Sequence, residues 1–181
     1  MPLIPANPGD ELDGLVARRA QALVFAPGDH FLSELPGEEV HLIAPHRVYV
    51  LEFDDLADRQ FSRARFIGWR YLLMAGDTTV GSAETIGAAR AVTLSGGRLP
   101  EATAEAIEAV EDLPEVQAGD FELRLLRLNA FHVTAAWVVG DIQMVVPLDP
   151  APSWLEAGRP YNESDFFDAL EQANVSPFGM Q

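Results

Sequence analysis

The 181-residue chain contains neither cysteine nor lysine. Without cysteine it has no disulfides, thiolate nucleophiles, iron–sulfur ligands or cysteine zinc sites. All twelve basic residues are arginines, so chemistry that needs a lysine amine, such as a phosphate-loop lysine or a Schiff base, is excluded as well. The remaining side chains carry no recognisable catalytic motif. We therefore predict no catalytic residues and no cofactor, and we favour a function that is not enzymatic.

Positive charge is scarce, and negative charge is unevenly distributed. The formal net charge is −16. Residues 1–100 contain 13 acids and 9 arginines, whereas residues 101–181 contain 15 acids and 3 arginines. The two parts thus carry −4 and −12. Such a surface repels phosphate backbones and anionic membranes, so we expect neither a nucleic acid nor a membrane as partner. It attracts a basic protein partner, and self-association is the other option.

Long hydrophobic runs and a secretory signal pattern are also missing. The N-terminal residues lack a basic segment followed by an apolar core, and no stretch approaches about 20 apolar residues. We therefore expect a cytoplasmic protein. The length and ordinary composition predict a single domain spanning residues 1–181.

The strongest structural pattern runs from Phe121 to Leu148, where residues typical of strands flank Gly140-Asp141. Glycine and aspartate in this setting predict a two-residue hairpin turn, with the glycine supplying a positive φ. In that register Trp137 faces Met144. Both faces of the hairpin are apolar, so we expect both to be covered. Before it, Leu125-Leu126 breaks the strand alternation and predicts a β-bulge.

The rest of the chain predicts an α+β fold, with a mainly antiparallel sheet of about 5–7 strands flanked by three or more helices. Asn7 is the expected cap of an N-terminal helix over about 8–25. A loose repeat of three strands and a helix suggests two related halves, at about 47–113 and 121–174. Further strands are expected over residues 47–53, 64–75 and 79–86 and helices over 100–113 and 162–174, whereas residues 88–94 fit either type.

Candidate binding residues are charged or aromatic side chains placed on predicted strands. Arg70 shares a strand face with apolar residues and follows Trp69, while His132 lies in a predicted strand near the hairpin. A charge on an apolar face must be paired or functional. We expect a structural pair between Glu52 and Arg70, with ligand binding by Trp69, Arg70 and His132 as the alternative.

Metal and acid–base sites find less support. The segment with His30, Glu34, Glu38 and Glu39 has the right residue types for a metal, but its spacing matches no metal motif, and we predict no metal site. A hydrolase would use His132 with a carboxylate such as Glu122 or Asp120, but no serine or metal-ligand cluster lies beside it in the sequence.

Two functions from different classes remain. The first is a non-catalytic acidic interaction or adaptor protein that acts through its acidic second half. The alternative is a small-molecule-binding protein, or a weakly marked hydrolase, with a pocket against the sheet. A concave pocket containing unpaired polar groups would discriminate between them.

Overall fold

The structure is a computed structural model, and it describes residues 3–4, 6–26, 30–33, 35, 39–87 and 91–175, with side chains given up to residue 173. Its strands are β1 (Leu3–Ile4), β2 (Val40–Val50), β3 (Arg65–Ala75), β4 (Thr78–Ile86), β5 (Ala91–Ser95), β6 (Phe121–Leu128), β7 (Val133–Val139), β8 (Gln143–Pro147) and β9 (Tyr161–Asn162). Its helices are α1 (Asp10–Val24), α2 (Arg98–Glu111), α3 (Pro114–Gln117) and α4 (Glu163–Val175). Short 3-10 turns occupy Phe53–Asp58, Phe61–Arg63 and Asn129–Phe131.

The described strands form one sheet in the order β5-β4-β3-β2-β6-β7-β8-β9, with β1 alongside β6. Strands β2 to β5 form one antiparallel meander and β6 to β9 form another. The two meanders meet where β2 and β6 run parallel, and the pairing of β1 with β6 is also parallel. The protein is therefore α+β with a mostly antiparallel sheet, as predicted. Its nine strands exceed the predicted 5–7. Whether the two halves arose by duplication stays a prediction.

Helices cover both faces of the sheet. On one face α2 packs against β4 and β7, and its Ala102, Ala106 and Val110 share a core cluster with Val48 and Leu125. On the opposite face α1 packs against β2 and β5, and α4 packs against β8. Because both faces are covered, successive residues of the central strands are buried.

This double coverage confirms the expectation for the hairpin faces but overturns the predicted bulge. Leu125 and Leu126 are both fully buried, one under α2 and one on the α4 side, and β6 pairs with β7 without a register shift. The broken alternation that indicated a bulge reflects two buried faces.

The predicted hairpin register is wrong by one residue. Val139 pairs with Gln143, so Gly140, Asp141 and Ile142 form a three-residue loop, and Val138 rather than Trp137 pairs with Met144. Gly140 does not adopt a positive φ. A Cβ there would lie 2.5 Å from the Phe121 ring and 2.7 Å from the Asp120 carbonyl, so close packing requires the glycine.

Three element boundaries also differ. The helix α1 begins at Asp10 after Gly9, and the Asn7 side chain accepts a hydrogen bond from the Gly9 N–H rather than capping the helix. The first predicted strand extends back to Val40 and ends before Phe53. Of the ambiguous segment, residues 91–94 belong to β5, and residues 88–90 lie outside the described residues. Among the described residues, no helix is long and apolar enough to cross a membrane.

Candidate functional site

A cleft of about 780 Å³ lies where the first turn of α1 meets strands β3 and β4. Its apolar lining includes Leu12, Leu15, Phe66 and Trp69, and half of the Phe66 surface is exposed. Its polar lining comes from the start of α1 and includes Asp10 and Glu11 together with the preceding Gly9. The cleft therefore combines an exposed aromatic surface with carboxylates.

An aromatic and arginine network continues from Trp69 across the middle of the same sheet face. The Arg47 guanidinium lies 5.3 Å from the Trp69 ring and donates to Glu122 at 2.6 Å. Arg124 donates to the same carboxylate at 3.0 Å and lies 5.0 Å from the ring of Trp137. Burial alone would raise the pKa of Glu122, but the hydrogen bonds and charges of Arg124 and Arg47 hold that pKa below its ordinary value.

A second cluster lies buried on the opposite face of the sheet, the face that carries α2. Arg70 is 1% exposed, and its Nη1 lies 3.4 Å from Oε1 of Glu84. Arg127 donates to the same oxygen, so two guanidiniums share one carboxylate. His46 is fully buried and pairs across the strands with Arg70. Nε and Nη1 of Arg70 and Nε2 of His46 have no hydrogen-bond partner within the described residues.

The protonation of this buried cluster follows from its environment. Nδ1 of His46 lies 2.6 Å from the Ala44 carbonyl, and because a carbonyl only accepts, Nδ1 carries the proton and Nε2 the lone pair. Burial lowers the pKa of His46 to about 4, and the charges of Arg70 and Arg127 act in the same direction. Burial also lowers the pKa of Arg70 to about 10, against the attraction of Glu84, so Arg70 stays charged at neutral pH. The cluster holds one net positive charge.

The three predicted binding residues do not form one site. Trp69 lines the cleft, whereas Arg70, next to it in β3, points to the other face and belongs to the buried cluster. His132 is exposed in a left-handed conformation (φ 54°) after the 3-10 turn that ends β6, and so it lies outside the predicted strand. Glu122 is the second residue of the eight-residue β6, so roughly 20 Å of strand separates it from the His132 end. The structure does not bring the hydrolase pair together.

The expected pair between Glu52 and Arg70 is wrong. Glu52 is exposed beyond the end of β2 and accepts a hydrogen bond from Arg65 at 3.0 Å, while Arg70 faces Glu84 in the neighbouring strand. The general expectation that Arg70 must be paired is nevertheless met. Sequence reasoning missed Glu84, which shares its strand face with the polar Ser82 as well as Ile86 and so gives a weaker signal than Arg70 does.

Phe66 and the first turn of α1 were also missed as cleft residues. Phe66 stood in a predicted strand and Gly9-Asp10 at a predicted helix start, but no pattern in the sequence placed them together. For metals, the part of the chain that the structure describes contains no group of three His, Asp or Glu side chains that can hold an ion. Glu34 and Glu38 of the proposed inventory lie outside that part. His30 is inside it, and its Nε2 lies 3.2 Å from the Ala26 carbonyl.

Comparison with known proteins gives no match: no family model, curated protein or solved structure is similar to this chain. The geometry of the cleft and of the buried cluster is therefore the basis for a functional proposal.

Proposed function

We propose that this protein is a non-catalytic interaction protein, and that the cleft between α1 and β3 receives an apolar segment of a basic partner protein. The observation that carries the proposal is the exposed Phe66 ring, which adjoins Trp69 in a cleft that the acidic first turn of α1 also lines. Large aromatic side chains dominate the energetics of protein interfaces when they become buried.

Charge supports the same choice of partner. Asp10 and Glu11 line the cleft, and the whole chain carries a net charge of −16. A field of this sign raises the rate at which a basic partner associates and repels acidic competitors. The apolar lining then supplies affinity, because burying Phe66 removes apolar surface from water.

A small organic cation in the same cleft is the second candidate, and the cleft volume favours it. About 780 Å³ falls within the range typical of small-molecule sites, and Trp69 and Phe66 offer aromatic surface beside carboxylates. The buried cluster around Arg70 takes no part in either candidate, since it lies on the other face of the sheet.

The test compares the wild type with Phe66→Ala in affinity capture from native lysate, with bound proteins identified by mass spectrometry. We expect the wild type to retain a basic protein at low salt, and to lose it at high salt because screening weakens the attraction. The same partner, once purified, should bind Phe66→Ala about tenfold more weakly, roughly 1.4 kcal/mol.

Phe25→Ala is the matched control, since Phe25 is 68% exposed and follows the other end of α1. Equal loss in both variants would show that general surface hydrophobicity, rather than the cleft, is responsible. If the basic partner binds Phe66→Ala as tightly as the wild type, the proposed site is wrong. If no protein is retained but organic cations raise the melting temperature of the wild type and not of Phe66→Ala, the small-molecule candidate is correct.

A further inference from the structure

The cleft that contains Phe66 and Trp69 adjoins a group of side chains with a positive net charge. Arg47 is paired with Trp69 across β2 and β3, and its guanidinium lies 5.3 Å from the Trp69 ring. Arg47 and Arg124 share the one carboxylate of Glu122, so the group carries one net positive charge. Because the chain as a whole carries −16, this local surplus of positive charge indicates a place where an anionic group can bind.

Arg47 is the member of this group that a ligand reaches most easily. Its side chain is 38% exposed, whereas those of Arg124 and Glu122 are 20% exposed. A guanidinium has five N–H donors, and among the described residues Arg47 uses Nη1 alone, for its hydrogen bond to Glu122. Its other N–H groups are therefore able to bind a carboxylate of another molecule, and a guanidinium often binds a carboxylate through two parallel hydrogen bonds.

The aromatic side chains of the cleft adjoin charges of both signs. Phe66 and Trp69 are three positions apart, but a register shift leaves Ile67 without a partner in β2. Both rings therefore share one face of the sheet, with their centroids 6.0 Å apart. Asp10 in the first turn of α1 lines the same cleft, while Arg47 lies over the Trp69 ring. The complementary ligand therefore combines an apolar group with a carboxylate and, in addition, a positive charge.

We propose that the cleft binds the C-terminal residue of the basic partner, whose terminal carboxylate pairs with Arg47 while its apolar side chain packs on Phe66 and Trp69. Arginine or lysine residues that precede this terminus lie along the acidic first turn of α1. The inference rests on the function proposed above and specifies which segment of the partner enters the cleft.

A chain terminus fits this site better than an internal segment does. The C-terminal residue carries its carboxylate on the same Cα as its side chain, so one residue reaches both Arg47 and the neighbouring ring of Trp69. An internal segment reaches Arg47 only with an aspartate or glutamate, and each such residue lowers the positive charge that favours association with this acidic chain. Capture of a terminal carboxylate is also a recurring mode of peptide recognition.

The test is affinity selection on the immobilised full chain from two libraries of random N-acetylated hexapeptides. One library has free C-terminal carboxylates, the other has C-terminal amides, and mass spectrometry identifies the enriched peptides. We expect the wild type to enrich free acids that end in an apolar residue and carry arginine or lysine before it. A selected peptide should bind about tenfold more weakly as its amide, because the charged pair with Arg47 is lost.

Two variants locate the bound carboxylate. Arg47→Gln should bind the acid and the amide of a selected peptide equally weakly. Arg63→Gln is the matched control, because it removes the same charge from a side chain that is 52% exposed and pairs with Asp58 away from the cleft. This control should keep the preference for the free acid. Circular dichroism of both variants checks that they fold.

The outcomes separate this inference from the function on which it rests. If the wild type enriches basic amides as strongly as free acids, the partner binds through an internal segment, and only the present inference is wrong. A preference for free acids that Arg47→Gln retains also overturns it, because the carboxylate is then bound elsewhere. If the wild type enriches neither library beyond Phe66→Ala, the cleft does not receive basic apolar segments, and both proposals fail.

Discussion

His46 should make the protein lose stability in mild acid. The imidazole is fully buried and neutral, with its pKa lowered from 6.5 to about 4. The unfolded chain binds a proton below about pH 6.5, while the folded chain resists protonation until about pH 4. Above about pH 6.5 His46 is therefore neutral in both states and does not lower the folding stability. As the pH falls from there toward 4, its buried neutral state costs progressively more stability.

The size of the loss follows from the shift. One pKa unit corresponds to about 1.36 kcal/mol, so His46 costs about 2 kcal/mol by about pH 5 and about 3 kcal/mol by about pH 4. His46→Asn removes the titration and keeps a side-chain N–H near the Ala44 carbonyl. Urea unfolding at about pH 7.5 and pH 5 measures the difference.

The comparison between the two proteins isolates His46, because carboxylates titrate in both. We expect the wild type to lose about 2 kcal/mol more than His46→Asn between the two pH values, even though the variant starts less stable owing to the smaller side chain. If both proteins lose the same amount, His46 is not buried as a neutral group, and the account of the cluster with Arg70 and Arg127 is wrong.

Three further substitutions test the packing. Gly68→Ala should destabilise by about 3 kcal/mol or more in urea unfolding, since its Cβ would lie 1.7 Å from the backbone carbonyl of Thr85. Gly14→Ala in α1 should stabilise by about 0.5–1 kcal/mol in the same assay, because it meets only a flexible side-chain end. Glu84→Gln should lower the free energy of unfolding by about 3 kcal/mol and lower the melting temperature, because Arg70 would lose its anionic partner. An unchanged melting temperature would contradict the pairing of Arg70 with Glu84.

Fold class could be predicted from the sequence because it shows runs of strand-forming residues, glycines at the turns and one clearly amphipathic helix. The helix predicted over 100–113 corresponds closely to α2, and the strand over 64–75 corresponds to β3. Register could not be predicted in the same way. In the hairpin after Val139, Met144, Val145 and Val146 are all apolar, so a shift of one residue leaves an equally apolar pattern on each face.

The same limit hid the partner of Arg70. A two-residue turn at Gly76-Asp77 pairs Ala75 with Thr78, as observed, and a regular ladder from there would place Arg70 opposite Ala83. The register shift between Leu73 and Met74 moves the pairing by one residue and brings Glu84 opposite Arg70 instead.

A single bulge therefore decides whether the buried guanidinium meets a carboxylate or a methyl group. A bulge depends on local backbone geometry, and the periodicity of hydrophobic residues in the sequence does not reveal it. The cleft has a comparable origin, since its first wall is a helix start and its second wall is a strand some fifty residues later. Sequence patterns identify such elements separately, but only the tertiary packing of α1 on the sheet brings Phe66 and the acidic first turn of that helix to one cleft.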